Sequence, residues 1–135
     1  MGVASWSRAR GVARALDKLG PSPRIEGRRD EPFRLDRSAD YFAALDKLRD
    51  SKGSLRAAIK SAKYEAVPLA DLRSPQGGVN PKLVVAKLRV VDEGGAMGVV
   101  ARWKGKLVIV DGNHRMTAAL LSGKKTARVR LLDLG

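Results

Sequence analysis

The amino-acid sequence predicts an α+β fold, a small mixed-sheet domain preceded by a helical N-terminal extension. Three observations carry this reading. Apolar residues recur at helical spacing before Tyr64 and again after Asn80. Runs rich in Val and Ile, which suit strands, gather after Glu65. The length of 135 residues suffices for one core plus an appendage and is short for two full cores. The expected division is a basic, mostly helical extension at 1–64, with a linker at 20–37, and the domain proper at 65–135.

The extension opens with a helix from Ser5 to Leu19, whose thin apolar side holds Trp6, Val12, Leu16 and Leu19; Gly20-Pro21 stops it. Residues 22–37, rich in Pro and charge, read as a linker or as an extended wrap over another surface, with Phe33 and Leu35 as anchors. A second helix, Ser38 to Arg49, turns Tyr41, Phe42, Leu45 and Leu48 to one side. Ser54 caps a third through about Ser61, with Leu55, Ala58 and Ile59 inward. These short helices need the later domain or a protein partner to bury their apolar faces.

After Glu65, the run Ala66-Val67-Pro68-Leu69 reads as an edge strand, because Pro68 has no donor for a central ladder. Asp71 to Gly78 reads as loop. Asn80-Pro81 starts a helix that runs to about Val90 and buries Leu83, Val84, Ala86, Leu88 and Val91; a turn spans Asp92 to Ala96. Met97–Trp103 and Leu107–Val110 form a hairpin around Lys104-Gly105. A helix from Asn113 to Ser122 turns Met116, Ala119 and Leu120 to the sheet. Thr126 to Leu132 returns as a strand that the helical crossover can set parallel to a hairpin arm.

The chain has no cysteine, which removes disulfides, thiolate nucleophiles and thiolate-bound metals. No apolar run reaches membrane-spanning length, and the N-terminus lacks the apolar stretch of a secretory signal, so no membrane insertion is expected. Lys and Arg number 27 against 14 Asp and Glu, a formal charge of +13. The excess is spread along the chain, with 15 basic against 8 acidic residues through Tyr64 and 12 against 6 after it. A field of this sign attracts nucleotides and nucleic acid.

The most informative stretch is Leu107 to Arg115. A buried strand delivers Asp111, Gly112 allows a sharp turn and leaves room for a ligand, and a helix opens at Asn113. Its free N–H groups and dipole favour an anion. Arg115 brings a forked cation suited to phosphate oxygens. His114, the only histidine, can donate to phosphate, orient a water or transfer a proton. Asp111 can take a divalent ion, orient His114 or cap the helix. Asn113 is a common turn and cap residue.

This strand–Asp-Gly-Asn-His-Arg–helix segment resembles the ParB/sulfiredoxin superfamily. The resemblance extends to Val67–Leu72 as an opening strand, to the loop Arg73-Ser74-Pro75-Gln76, to Asn80–Val90 as a first helix and to Ala127–Leu131 as a closing strand, about the last 70 residues. The turn is similar to the Gly-Glu-Arg-Arg turn of ParB proteins, with Asn113 in place of Glu. It is nearer still to the Asp-Gly-His-His-Arg turn of a free serine kinase of that fold. Sulfiredoxins carry their catalytic cysteine where this chain has Asn113, so a sulfiredoxin-type reductase is not expected.

The resemblance implies phosphates held by His114, Arg115 and the N–H groups from Gly112 to Arg115, including that of Asn113, with Gln76 and the Gly77-Gly78 loop across the pocket. It implies a second acidic group at Glu65 or Asp71 beside Asp111, and Mg²⁺ held by Asp111 together with the phosphates of an NTP. The leading expectation is thus a nucleotide-binding domain with NTP hydrolase or phosphotransferase activity, in which His114, Asp111 and Glu65 do the chemistry. The family also holds DNA-cleaving and toxin-fused members, so a nucleic-acid-binding protein or nuclease effector is the second expectation. The third is an inactive phage- or effector-associated module whose N-terminal helices dock on a protein partner. These readings set the location as cytoplasmic, or associated with a phage particle or a secreted effector.

Overall fold

The computed structural model describes residues 3–91, 93 and 95–135, with side chains from Ser7 onward. Expectations for Trp6, Asp92 and Gly94 therefore lie outside the described residues. The helices are α1 (Val3–Leu19), α2 (Ala39–Ser51), α3 (Leu55–Ser61), α4 (Pro81–Ala86), α5 (Leu88–Val91) and α6 (Asn113–Leu121). The strands are β1 (Arg34–Leu35), β2 (Lys63–Pro68), β3 (Leu72–Ser74), β4 (Val99–Trp103), β5 (Lys106–Asp111) and β6 (Thr126–Asp133).

The strands form one mixed sheet in the order β1-β3-β5-β4-β6-β2. Side chains of a strand alternate between faces, and the burial follows. Val100, Ile109, Val129 and Leu131 pack with α1, α4, α5 and α6 on one face, while Val99, Ala101, Val108 and Leu132 pack with α2 and α3 on the other. The α+β mixed-sheet expectation is therefore met by a sheet with helices on both sides. The β4–β5 hairpin is antiparallel, turning at Lys104 with φ +48°, and β6 returns parallel to β4. Pro68 stands on the edge strand β2, where its missing donor costs nothing.

Both cores cross residue 64. Val12 and Leu16 of α1 are buried among α4 and α6 residues, and Tyr41 of α2 meets Trp103 edge-on at 6.0 Å between ring centroids. Burial, then the nearby Asp36 carboxylate, pushes the Tyr41 hydroxyl up to about 12. Residues 20–37 are an extended wrap rather than a free linker. Arg29 bridges to both Pro21 and Val79, Phe33 is buried, and β1 pairs parallel with β3. Buried Asp36 then takes Arg73 at 3.6 Å and Lys106 at 4.0 Å.

Three local expectations need correction. Leu72–Ser74, read as loop, is strand β3 between β1 and β5. Three residues are too few to display a period, and its parallel neighbours supply the ladder. The helix begun by Asn80 breaks at Lys87 and resumes as α5. Phe42 and Leu83, assigned to apolar stripes, are 41% and 44% exposed, because each lies just off the buried arc of a short helix. Among the described residues no helix is long and apolar enough to cross a membrane.

Candidate functional site

β5 is apolar along its buried length and ends at Asp111, so it delivers an exposed carboxylate to the edge of the sheet. Gly112 then takes φ +90°, a left-handed conformation open to glycine. Space excludes a side chain as firmly as torsion does. A Cβ at Gly112 would lie 2.5 Å from the Met97 carbonyl oxygen, and one at Gly98 would run into the Asp111 carbonyl oxygen. Two glycines thus let the loop before β4 touch the turn after β5. The helix that follows, α6, has Gly112 as its N-cap, with no side-chain cap and no acidic residue in its first turn. Its first N–H groups have no intrahelical acceptors and face the positive end of the helix dipole.

That end opens on a cleft of about 280 Å³ whose lining includes Ser74, Gln76, Lys87, Asp111, His114 and Arg115. Arg115 and Lys87 are half-buried, and neither has a carboxylate partner among the described residues. The cleft thus sets two cations and the free N–H groups of a helix start beside one carboxylate, Asp111.

His114 is placed to donate and not to take up a proton. Its Nε2 accepts the Asn80 N–H at 3.1 Å, so the neutral ring carries its proton on Nδ1. Burial first, then the Arg28 and Lys87 charges, lower its pKa against a weaker opposing pull from Glu31. This corrects the expectation of His114 as a proton-transfer group: the basic nitrogen is occupied by backbone, and Nδ1–H remains as a donor. The folded protein binds this proton less readily than the unfolded chain. The stabilising contribution is therefore complete above the ordinary value of 6.5 and is lost as pH falls through the lowered folded value. Chemical denaturation from pH 7.5 to 5 should show stability falling in that window, with that part of the slope absent in His114→Gln.

A carboxylate not marked in the sequence reading organises the walls. Glu31, from the wrap, is 7% exposed and accepts the Gly77 N–H and the Asn113 Nδ2–H, each at 2.7 Å. It ties the 75–78 loop to the first residue of α6. Ser22 Oγ donates to the Gly77 carbonyl at 2.7 Å, and Arg37 donates to the Pro75 and Gln76 carbonyls at 2.7 and 2.8 Å. Two site expectations change as a result. Gly77 is buried with its N–H consumed by Glu31, so it holds the loop and does not face the cleft. The Asn113 side chain is buried against Glu31, with Oδ1 unpartnered, so only its backbone is offered to a ligand. Gln76 does line the cleft, and its Nε2 donates to the Gly78 carbonyl at 2.7 Å.

Glu31→Gln should destabilise the fold by about 2 kcal/mol, because two charge-assisted bonds become neutral and one buried amide N–H, on Asn113 or on the new side chain, is left without an acceptor. The loss is measurable as a lowered urea midpoint at unchanged m-value.

Glu65 is not brought to the site. It lies on β2 at the far edge of the sheet, half-exposed and paired with Arg102 at 3.2 Å. Asp71 is also elsewhere. It precedes Leu72, which pairs with Leu107 at the opposite end of β5 from Asp111. Periodicity cannot distinguish the two ends of the parallel β3–β5 pair, which decides the place of Asp71, or say which edge of the sheet takes β2, which decides that of Glu65. Asp111 is the carboxylate that lines the cleft, and among the described residues no group of three His, Asp or Glu side chains converges on a metal position. The donor set fits a Mg²⁺ shared with ligand phosphates better than an ion held by protein alone.

Glu31 and Lys87 had faint sequence signals: Glu31 stands two residues before the anchor Phe33, and Lys87 ends the turn before a helix break. Gly98 had none beyond its place at the start of a strand. No family model matches the chain, and a search of curated proteins finds no match.

Proposed function

We propose that the cleft binds a nucleoside triphosphate through its phosphates, and that the domain is an NTP hydrolase or phosphotransferase with the strand–turn–helix site of the ParB/sulfiredoxin superfamily. One observation carries the reading: an uncapped helix start faces a cleft that holds two cations, Arg115 and Lys87, without carboxylate partners among the described residues. Unpaired charge held half out of water is costly unless an anion arrives to share it.

The α6 N–H groups and the Arg115 fork bind phosphate oxygens, and Lys87 adds a point charge. His114 Nδ1–H donates to a further oxygen, its ring held by the Asn80 N–H. Asp111 is the residue that would hold a Mg²⁺ ion, which would supply neutralisation of phosphate charge. These groups bear on the equatorial oxygens, where charge is spread during phosphoryl transfer, so positioning and electrostatics are what the chain contributes. The missing cysteine excludes a sulfiredoxin-type thiol reaction.

The test is a calorimetric binding screen over the four NTPs, with and without Mg²⁺, followed by a phosphate-release assay. Saturable one-site binding supports the proposal. Heat indistinguishable from dilution for all four NTPs counts against it.

A further inference from the structure

A ligand carrying three or four negative charges does not account for a chain of +13. A second cationic surface lies on the sheet, away from the cleft. β2 and β6 are antiparallel partners, and Ala127, Val129 and Leu131 of β6 with Val67 of β2 turn inward. The alternate residues, Tyr64, Ala66 and Pro68 of β2 with Thr126 and Arg128 of β6, are exposed. Arg130 belongs to the same outer set and is half-buried, its Nη1 donating to the Ile59 and Lys60 carbonyls at 3.3 and 3.2 Å at the end of α3. The helices on this side cover the sheet up to Arg130 and leave the remainder open.

The centre of the open face is Tyr64, 45% exposed, with the guanidinium carbons of Arg128 and Arg130 at 4.6 and 4.5 Å from its ring centroid. The ring holds both guanidinium groups in place; Arg130 spends Nη1 on the α3 carbonyls and keeps its other N–H groups, while Arg128 is exposed. Neither arginine, nor the exposed Lys60 beside them, has a carboxylate partner among the described residues. The neighbouring acid, Glu65, alternates to the opposite face and is held by Arg102.

We propose that this β2–β6 face binds single-stranded nucleic acid, with phosphates on Arg128, Arg130 and Lys60 and a base against the Tyr64 side chain. Cations interleaved with an exposed aromatic on an open sheet are the composition that such strands recognise. A bilayer needs an apolar area to insert, and among the described residues the large exposed apolar side chains, Phe42, Tyr64 and Leu83, stand on three different elements. The face is separate from the cleft. Tyr64, Arg130, Val99 and Asp111 form one cross-strand row, so the ring and the cleft carboxylate are three strand spacings apart, about 14 Å. One phosphate cannot touch both.

The test is fluorescence anisotropy of the full chain with labelled 20-nucleotide single-stranded DNA and RNA, from 50 to 200 mM salt. Affinity should fall steeply with salt. Arg128→Glu, at an exposed position, should weaken binding by about tenfold or more and reduce the salt slope by about one; Lys60→Glu should act in the same direction. Tyr64→Ala should weaken it by about five- to tenfold. Arg115→Ala should weaken nucleoside triphosphate binding yet keep the Arg128- and Tyr64-dependent part of single-strand binding, which separates this face from the nucleotide cleft. The proposal is overturned by absence of binding, by an Arg128→Glu variant that binds like the parent, by tighter binding of a DNA duplex of the same length and sequence, or by equal displacement with polyglutamate of the same charge.

Discussion

Replacing Arg115 with alanine should weaken nucleoside triphosphate binding by about 10- to 100-fold and leave the fold intact, since a lost hydrogen-bonded charge contact costs about 1.5–3 kcal/mol. The fold should survive because Arg115 is half-buried at the rim and makes no ion pair with any carboxylate among the described residues. Its removal strands no buried partner, so the loss should be confined to the ligand. Arg115→Lys should recover only part of the affinity, because an ammonium restores the charge but not the fork. Titration calorimetry and a thermal melt on the same samples separate the two effects. A melting point that drops with the affinity would place Arg115 in the core instead of the cleft.

Gly112→Ala should destabilise the fold by about 3–5 kcal/mol, roughly a third or more of the stability of a typical domain. Two costs combine. The left-handed backbone alone costs a residue with a Cβ about 1–2 kcal/mol. The remainder comes from contact, since the added carbon meets the Met97 carbonyl oxygen at 2.5 Å and the Gly98 Cα at 2.9 Å, both backbone atoms that cannot swing away. Gly123, after the end of α6, has φ +95° and open space around its Cβ position, so Gly123→Ala isolates the backbone cost. Urea denaturation of the two variants should differ by about 2 kcal/mol or more. Equal losses would mean that the β4 loop yields and that the close approach of Gly98 and Gly112 carries no energy.

What could be read in the sequence was whatever is encoded locally. The β5–turn–α6 segment was legible because a Val/Ile run, a glycine and a helix start follow one another within nine residues. The Ser54 and Asn80 caps were legible for the same reason, and both side chains accept the expected N–H bonds. The hairpin and the parallel return of β6 followed from short connections and a helical crossover.

What failed depends on contacts distant in sequence. Three-residue β3 and two-residue β1 are strands only because each has a neighbour at hand. Glu31 lies in a stretch of prolines and charges where nothing marks one carboxylate as buried. Its role comes from reaching Asn113, 82 positions away, and Gly77, 46 away. Glu65 was misplaced for the complementary reason: an acid near a first strand can sit at any edge of the sheet until strand order is known. The role of His114 was narrowed by a single backbone donor, Asn80 N–H, that the sequence could not assign to it.

The most direct test of the cleft is an amide-resolved NMR titration of the labelled chain with ATP and Mg²⁺. The N–H signals of Gly112, Asn113, His114 and Arg115 should move together and saturate with one dissociation constant, while those of Asp71 and Glu65, at other edges of the sheet, stay in place. Saturating shifts confined to β2 and β6, or no shift at the start of α6, would contradict the account.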